Sequence, residues 1–400
     1  MAANQPPMLA AGVDAGSAFT RCAILLIENA RLRLAGYGEV RSQGWDKGRI
    51  ADHSAVSNSI ERAVREAERL AQASIGSAVF GVGGTGICGA SGHGGCDIGI
   101  PRQIGQGDVN RVVNRAARTQ VREDEMILHV APRDFAVDGR HGHRNPRGMI
   151  GSHLEVYVHL VMAPPQEHRA LVGAANLAHL AVEETVFEPI AASYAAILPE
   201  ERCEPVVLID IGAHSTGLAV YDGEMLVLTS SLPICGGHFT RDVARGLTIS
   251  PEDAEWLKEQ QGSALPDLSG GNGMVELSPA AGRGNREARL ADLNLILEAR
   301  AADLFEFVAL ELERAGADQA MMGAVLTGGG ARLPGMCDVA EKVLKCQARN
   351  GLPVGILDWP AAIDNPSWTT AAGLAMYSAR LQLRAELDRK TGSFLTNFLK

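Results

Sequence analysis

The sequence predicts an α/β chain of two lobes, each built on a sheet that begins with the same tight hairpin. Three observations carry this. The run Leu208-Ile209-Asp210-Ile211-Gly212-Ala213-His214-Ser215-Thr216-Gly217-Leu218-Ala219-Val220 reads as an apolar strand, a polar turn and a second apolar strand; Asp222-Gly223 then turns the chain into a third run, Met225 to Leu228. The same design occurs earlier, where Gly12-Val13-Asp14-Ala15-Gly16-Ser17-Ala18-Phe19-Thr20-Arg21-Cys22-Ala23-Ile24 repeats the apolar-Asp-x-Gly start, the Ser/Thr-bearing turn and the apolar exit. Finally, 400 residues are too many for one ordinary core, so two or more subdomains are expected.

A turn of this kind can aim successive backbone N–H groups at an anion. In the first hairpin those groups would come from Gly16, Ser17, Ala18 and Thr20, and in the second from Gly212, Ala213, His214, Ser215 and Thr216. Asp14 and Asp210 end the first strand of each hairpin, well placed to hold a cation against that anion; Mg²⁺ takes oxygen ligands and keeps its waters. One hairpin alone would be read as structural. Two facing each other would grip a triphosphate between them.

The composition is ordinary globular material, 46% hydrophobic and 21% charged, and the net charge of −10 argues against nucleic acid as a partner. Cys22, Cys88, Cys96, Cys203, Cys235, Cys337 and Cys346 show no CxxC or zinc-finger spacing, so reduced and mostly buried thiols are expected. The first eight residues lack a basic segment followed by an apolar one, so no secretory signal is read there. No run approaches the roughly 20 apolar residues of a membrane-spanning helix.

Along the chain, Arg31 to Val40 continues the first sheet, and Ser54 to Ala73 is a helix with Val56, Ile60, Val64 and Leu70 near a 3.6 period. Ala78 to Gly84 is a buried strand. A different texture follows, a small α/β insert over 84–163. Its Gly89 to Gly95 reads as a glycine-rich turn, and Asp108 caps a helix through Arg118. Ile127 to Pro132 and Asp134 to Val137 read as two strands, 138–148 as a polar loop, and Leu154 to Met162 as a half-buried strand. The loop holds His141 and His143, but no third ligand accompanies them, so a solvated loop is the preferred reading over a metal site. Gln166 to Leu180 is helical. Val186-Phe187-Glu188-Pro189-Ile190-Ala191-Ala192 leads into a helix whose small residues allow close packing between two sheets. There Glu188 could orient a water, or simply place a charge at the helix N-terminus.

Gly236 and Gly237 open a helix after the second hairpin, and a further helix, Pro251 to Gln261, carries Glu255 and Lys258; these four are counted with the nucleotide contacts. Residues 262–285 are loop-rich around a short strand, Met274 to Leu277, and Leu290 to Ala315 is a long amphipathic helix. The strand Ala324 to Thr327 runs into Gly328, Gly329 and Gly330, where bare backbone can lie against a flat base or a phosphate. Tyr377 to Lys390 reads as a charged helix or linker. After Thr391-Gly392, the residues Phe394, Leu395, Phe398 and Leu399 share one helical face beside Arg389 and Lys390, the pattern of an interfacial membrane anchor.

With these motifs in place the chain resembles the actin-like ATPase superfamily and, within it, the FtsA family of bacterial cell division. The superfamily features are the two hairpins, the Glu188-to-Ala192 connection and the triple glycine. The FtsA-like ones are Ile127-Leu128-His129-Val130, Val137-Asp138-Gly139, Pro146-Arg147-Gly148-Met149, Leu154 to Val161, Gly236-Gly237-x-x-Thr240-x-Asp242 and the Gly-Ser-Phe tail. The resemblance spans nearly the whole chain. It implies an actin-like (ribonuclease H-like) α/β fold of two lobes with duplicated sheet domains and an FtsA-type insert, called 1C. The lobes divide into 1–83 with 164–204 (1A), 84–163 (1C), 205–237 with 321–380 (2A), 238–320 (2B), and 381–400 as linker and anchor. It also implies ATP with Mg²⁺ in the cleft, filament formation with copies of itself, and a C-terminal helix on the cytoplasmic face of the inner membrane. Further implied are binding of the tail of the tubulin homologue FtsZ by 2B, with Arg300 and Asp303 on the charged face used, and contact with later division proteins.

Three features depart from the family pattern. The second hairpin usually reads Asp-x-Gly-Gly-Gly-Thr-Thr-Asp, whereas here Ala213 and His214 replace two glycines and Gly217 the second Asp; the first has Ser17-Ala18 in place of Thr-Thr. The expectation is that nucleotide binding survives and hydrolysis is slow or absent. The tail is shorter and less basic than the family norm, so anchoring would draw on polymer avidity. Two other functions compete: a PilM-like adaptor of type IV pilus assembly, which lacks the amphipathic tail, and a superfamily kinase, which needs a catalytic base and finds only Glu188.

Overall fold

The computed structural model describes residues 8–29, 31–118, 122, 124–265, 273–277, 286–317 and 321–391. The first sheet opens with β1 (Met8–Ala15), β2 (Phe19–Glu28) and β3 (Arg31–Arg41), each antiparallel to the one before. A small hairpin, β4 (Trp45–Asp46) and β5 (Arg49–Ile50), precedes α1 (His53–Ala71). The Asp52 side chain accepts from the N–H groups of Ser54 and Ala55, satisfying donors that the first turn of α1 leaves free. β6 (Ser77–Val82) then pairs parallel with β1.

The insert follows as β7 (Cys88–Gln103), α2 (Gln106–Arg118), β8 (Met126–Val137), β9 (Arg140–His143) and β10 (Ile150–Ala163), with strand order β7-β10-β8-β9. The chain returns through α3 (Pro165–Leu177) and β11 (Ala181–Phe187), parallel to β6, and crosses between the lobes on α4 (Glu188–Ala196).

The second lobe contains β12 (Pro205–Ile211), β13 (Thr216–Asp222), β14 (Met225–Leu232), α5 (Gly236–Leu247), α6 (Pro251–Gln260), β15 (Met274–Leu277), β16 (Arg286–Arg289), α7 (Leu290–Arg314), β17 (Gly323–Thr327), α8 (Met336–Leu344) and β18 (Gln347–Asn350). Last come β19 (Ile356–Leu357) and α9 (Thr369–Thr391).

The two large sheets run β11-β6-β1-β2-β3-β19 and β14-β13-β12-β17-β18. Each puts its first strand in the middle, two strands in antiparallel succession on one side and two parallel strands on the other, and the first sheet adds β19 beyond β3. The duplication read from the hairpins therefore extends to the topology. Each lobe and the insert has its own buried apolar core. The small residues of α4 let it lie against both lobes: Ala192, Ala196 and Ile197 meet Val206, Leu208 and Val325 of the second sheet.

Several expectations are corrected. Gly89 to Gly95 is not a turn but the interior of β7. A Cβ on Gly92 would lie 2.7 Å from the carbonyl oxygen of Ala116, and one on Gly94 2.6 Å from its nitrogen, so these glycines thin the strand where α2 lies on it. Residues 127–137 form one strand with irregular pairing to β10, and the polar loop contains β9. The second-lobe core does not extend to 380, because β19 pairs with β3 and α9 packs on β1, β2 and β6 of the first sheet. Of the two readings of Tyr377 to Lys390, helix or linker, the helix is the one that forms, as the continuation of α9. The tail residues Phe394, Leu395, Phe398 and Leu399 lie outside the described residues.

The insert also reaches the second lobe. Buried His159 on β10 shares a hydrogen bond with Thr229 on the edge strand β14, Nε2 to Oγ1 2.9 Å. Burial pushes His159 down to about 4, so its imidazole is neutral at ordinary pH.

Candidate functional site

A cavity of about 1250 Å³ opens between the lobes, with the two hairpins as opposing walls. The β1–β2 turn contributes Gly16, Ser17 and Ala18, and the β12–β13 turn contributes Gly212, Ala213, His214 and Ser215. The hairpins touch: Ser17 Oγ and His214 Nδ1 are 2.8 Å apart. Partial burial and the nearby Arg241 charge depress the titration of His214. A neutral imidazole therefore bridges the lobes where a glycine would leave a gap.

The cavity floor is acidic. Burial lifts Asp14 from its usual 3.8 to about 7, against the pull of Arg21, and lifts Asp210 to about 6 against hydrogen bonds donated by Thr327 (3.0 Å) and Thr370 (3.4 Å). Glu188, the first residue of α4, is raised well above the carboxylate range by burial and then by Asp14 and Asp210. The guanidinium nearest to them, Arg21, is itself paired with Glu39 at 2.6 Å. Three carboxylates thus share a buried floor short of positive charge, which is the environment a divalent cation fits. Among the described residues, no three acidic, His or Cys side chains converge to cage an ion unaided. Mg²⁺ needs only one or two carboxylates, its other ligands being water and phosphate oxygens.

Glu188 is positioned from the insert. The Phe187 N–H, just before α4, donates to His129 Nε2 on β8 at 3.0 Å; burial keeps this imidazole neutral, with its titration lowered to about 4. On the second-lobe side, the Gly236 and Gly237 N–H groups donate to the carbonyls of Gly212 (2.9 Å) and Ala213 (3.0 Å). These two glycines line the cavity while bracing the hairpin. Lys258 Nζ lies 2.7 Å from Glu255 and 3.0 Å from Thr240 Oγ1, and both Glu255 and Lys258 face the cavity from α6. Gly328, Gly329 and Gly330 line it where β17 ends, with Gly328 at φ +82°.

Two expected nucleotide contacts are elsewhere. Thr20 and Thr216 are fully buried beneath their turns, not on the cavity wall. Each lies at the start of the returning strand, Thr20 second in β2 and Thr216 first in β13, where alternation turns its side chain to the far face. Thr20 Oγ1 bonds Ser42 Oγ (2.8 Å), which donates to the Gly16 carbonyl (2.6 Å); Thr216 donates to the Ile234 carbonyl (2.6 Å). They hold the hairpins in shape. Arg300 and Asp303 lie on α7, away from the cavity. Arg300 pairs with Asp242 (2.5 Å) and Asp303 (3.1 Å), and the Asp303 side chain is half exposed. His141 pairs with Asp134 at 2.9 Å.

The sequence reading missed Arg21, Lys47, Arg241, Arg332 and Thr370, which also line the cavity. Arg21 was findable, because it pairs directly across from Asp14 and so shares its face. Thr370 comes from α9, far along the chain, and no local signal marks it.

Comparison with known proteins agrees with this geometry. The family model described as cell division protein FtsA matches residues 207–373, and that of the SHS2 domain inserted in FtsA matches 84–162. The chain is 29% identical to cell division protein FtsA of Escherichia coli (strain K12), over 98% of this chain and 96% of the relative. It is 32% identical to cell division protein FtsA of Rhizobium meliloti (strain 1021), over 86% and 79%. Among solved structures, the PilM-PilN type IV pilus biogenesis complex superposes with TM-score 0.69 at 17% identity, covering 93% of this chain and 99% of that one. MreB5 of Spiroplasma citri bound to ADP superposes with TM-score 0.55 at 12% identity, covering 94% and 98%. These likenesses place the fold among actin-like proteins.

Proposed function

This chain belongs to the FtsA family, actin-like proteins of cell division, and from that premise we propose that it binds ATP with Mg²⁺ between its two hairpins and tethers the division ring to the membrane. The observation that carries the nucleotide reading is the pair of facing hairpins over a buried acidic floor. Backbone N–H groups of Gly16 to Ala18 and Gly212 to Ser215 would hold the phosphates. Asp14 and Asp210 would hold the cation, Glu188 would orient a water, and Glu255, Lys258 and the Gly328–Gly330 backbone would contact the remainder of the nucleotide. The cation supplies charge that offsets phosphate–carboxylate repulsion when bound. His214 occupies space that a glycine would leave open, so turnover is slow or absent and ATP acts as an assembly ligand.

As tether and scaffold, the chain would self-assemble, take the FtsZ tail on the α7 face carrying Arg300 and Asp303, and lie on the cytoplasmic face of the inner membrane through Phe394, Leu395, Phe398 and Leu399. No helix among the described residues is long and apolar enough to cross a membrane. An adaptor of PilM kind is the less favoured reading: that likeness is one of fold at 17% identity, whereas the near-full-length sequence relatives are FtsA proteins.

The test is liposome co-sedimentation of the full chain and of a chain ending at Thr391, each with ATP and without nucleotide. Pelleting that requires both ATP and the tail is expected. Pelleting of neither form would sink the anchor and favour a soluble adaptor.

A further inference from the structure

We propose that the β4–β5 hairpin reads the terminal phosphate of the nucleotide, with Lys47 as the charge that distinguishes a nucleoside triphosphate from a diphosphate. The proposal rests on the nucleotide-binding reading above and deepens it.

Trp45, Lys47, Gly48, Arg49 and Ile50 all line the interlobe cavity. Lys47 and Gly48 are the central residues of a two-residue turn at φ +47° and +78°. Positive φ at both places is the type I′ turn, which favours Asn, Asp or Gly in the first position. A lysine held there is in a sparsely populated backbone region, and such strain gathers at ligand clamps and switch regions.

The turn leans on the opposite lobe. A Cβ on Gly48 would lie 2.9 Å from His214 Cβ, so the tip sits beside the junction where Ser17 and His214 meet. That junction is where the two hairpins come together. A terminal phosphate gripped by both would sit beneath it.

The charges on the first-lobe wall of the cavity single out Lys47. Arg21 is paired with Glu39, Arg49 with Glu167 at 3.3 Å, and Lys258 with Glu255. Arg241 and Arg332 stand on the second-lobe wall, on α5 and in the turn after β17. Lys47 is exposed, and it makes no ion pair or hydrogen bond with any described residue. Among the described first-lobe cations that line the cavity it is the one without a partner, and it stands on the wall where the hairpins meet. Asp14, Asp210 and Glu188 give the floor beneath a carboxylate excess that repels a phosphate. An ammonium on a flexible stem is a suitable phosphate partner, acting as a point charge.

The test is calorimetric titration of the full chain in Mg²⁺ with ATPγS and with ADP, for wild type, Lys47→Asn and Lys47→Arg. Asparagine suits the turn, so the first variant removes charge without disturbing the backbone. Lys47→Asn is expected to weaken ATPγS roughly tenfold, the loss of one charge-assisted hydrogen bond. ADP should stay within about twofold, and Lys47→Arg should keep most of the preference. Equal losses for both nucleotides, or none for either, would overturn the assignment. If wild type binds neither nucleotide, the nucleotide reading itself fails and carries this proposal with it.

Discussion

Replacing Asp14 and Asp210 together by asparagine is expected to raise the stability of the ligand-free protein at pH 8 and to abolish Mg²⁺-dependent nucleotide binding. The opposite signs have one origin. Both carboxyls are buried on the cavity floor with Glu188, and burial lifts Asp14 to about 7 and Asp210 to about 6. A carboxyl whose folded-state titration lies above its unfolded value loses stability as pH rises from the unfolded value toward the folded one. Below about 4 both states are protonated and the penalty vanishes; above 7 the folded protein carries two unwanted charges and the penalty is full. Neutral amides of the same shape remove it. Melting of the double variant should therefore exceed wild type by about 3 °C or more at pH 8, with the gap narrowing through pH 7 and 6 and closing near pH 4. ATPγS affinity in Mg²⁺ should fall by roughly 100-fold or more, because the ion would lose both of the carboxylates proposed to hold it. Thermal scans from pH 4 to 8 and calorimetric titration measure the two effects. A double variant that melts lower than wild type at pH 8 would show that the two aspartates serve structure rather than ligand.

Gly373→Val is expected to be severely damaging. Gly373 lies on α9 where it crosses α4, and a Cβ there would collide with the Ala191 carbonyl oxygen and lie 3.1 Å from the Ala192 nitrogen. Both helices are buried at the crossing, with Ala191, Ala192, Ala371, Ala372 and Ala375 all inaccessible. α9 cannot retreat without opening the first sheet, nor α4 without opening one of the two sheets it packs on. Overpacking of this kind costs more than about 4 kcal/mol, at the extreme of single substitutions. Loss of soluble protein, or a melting point lowered by about 10 °C or more, is the expected readout. Gly107→Ala is the contrast. Gly107 lies in the first turn of α2, with nothing within 4 Å of its added Cβ and no positive φ, so alanine there should be neutral or stabilising by a few tenths of a kcal/mol.

These cases show what sequence could and could not reveal. The hairpins were legible because a strand, an Asp-x-Gly turn and a returning strand are a local pattern. Finding it twice made the opposed walls of the cavity readable. The register of that pattern was less so: Thr20 and Thr216 look like turn residues, yet each belongs to the strand that follows, and one position decides which face a side chain takes. Gly92 and Gly94 were misread because glycine in series signals a turn unless the alternate positions are known to face a helix. The path of α9 was hidden for a related reason. Its buried face is mostly alanine, which carries little periodicity, and its place depends on close approaches to Gly12 on β1 and to α4, distant in sequence. The β4–β5 hairpin, with strands of two residues each, is too short to show any period at all.

The bond between His159 and Thr229 has a consequence for motion. The insert is joined covalently to the first lobe through β7 and β10 and meets the second lobe along β14, while the lobes meet each other through α4 and the touching hairpins. Three bodies linked pairwise make a closed ring, and a ring has fewer independent movements than an open chain. A change in the angle between the lobes must either break the buried histidine contact or swing the insert by a matching amount. The orientation of the insert is then a mechanical readout of how far the cavity is closed, delivered to its outer surface without any refolding of the insert itself.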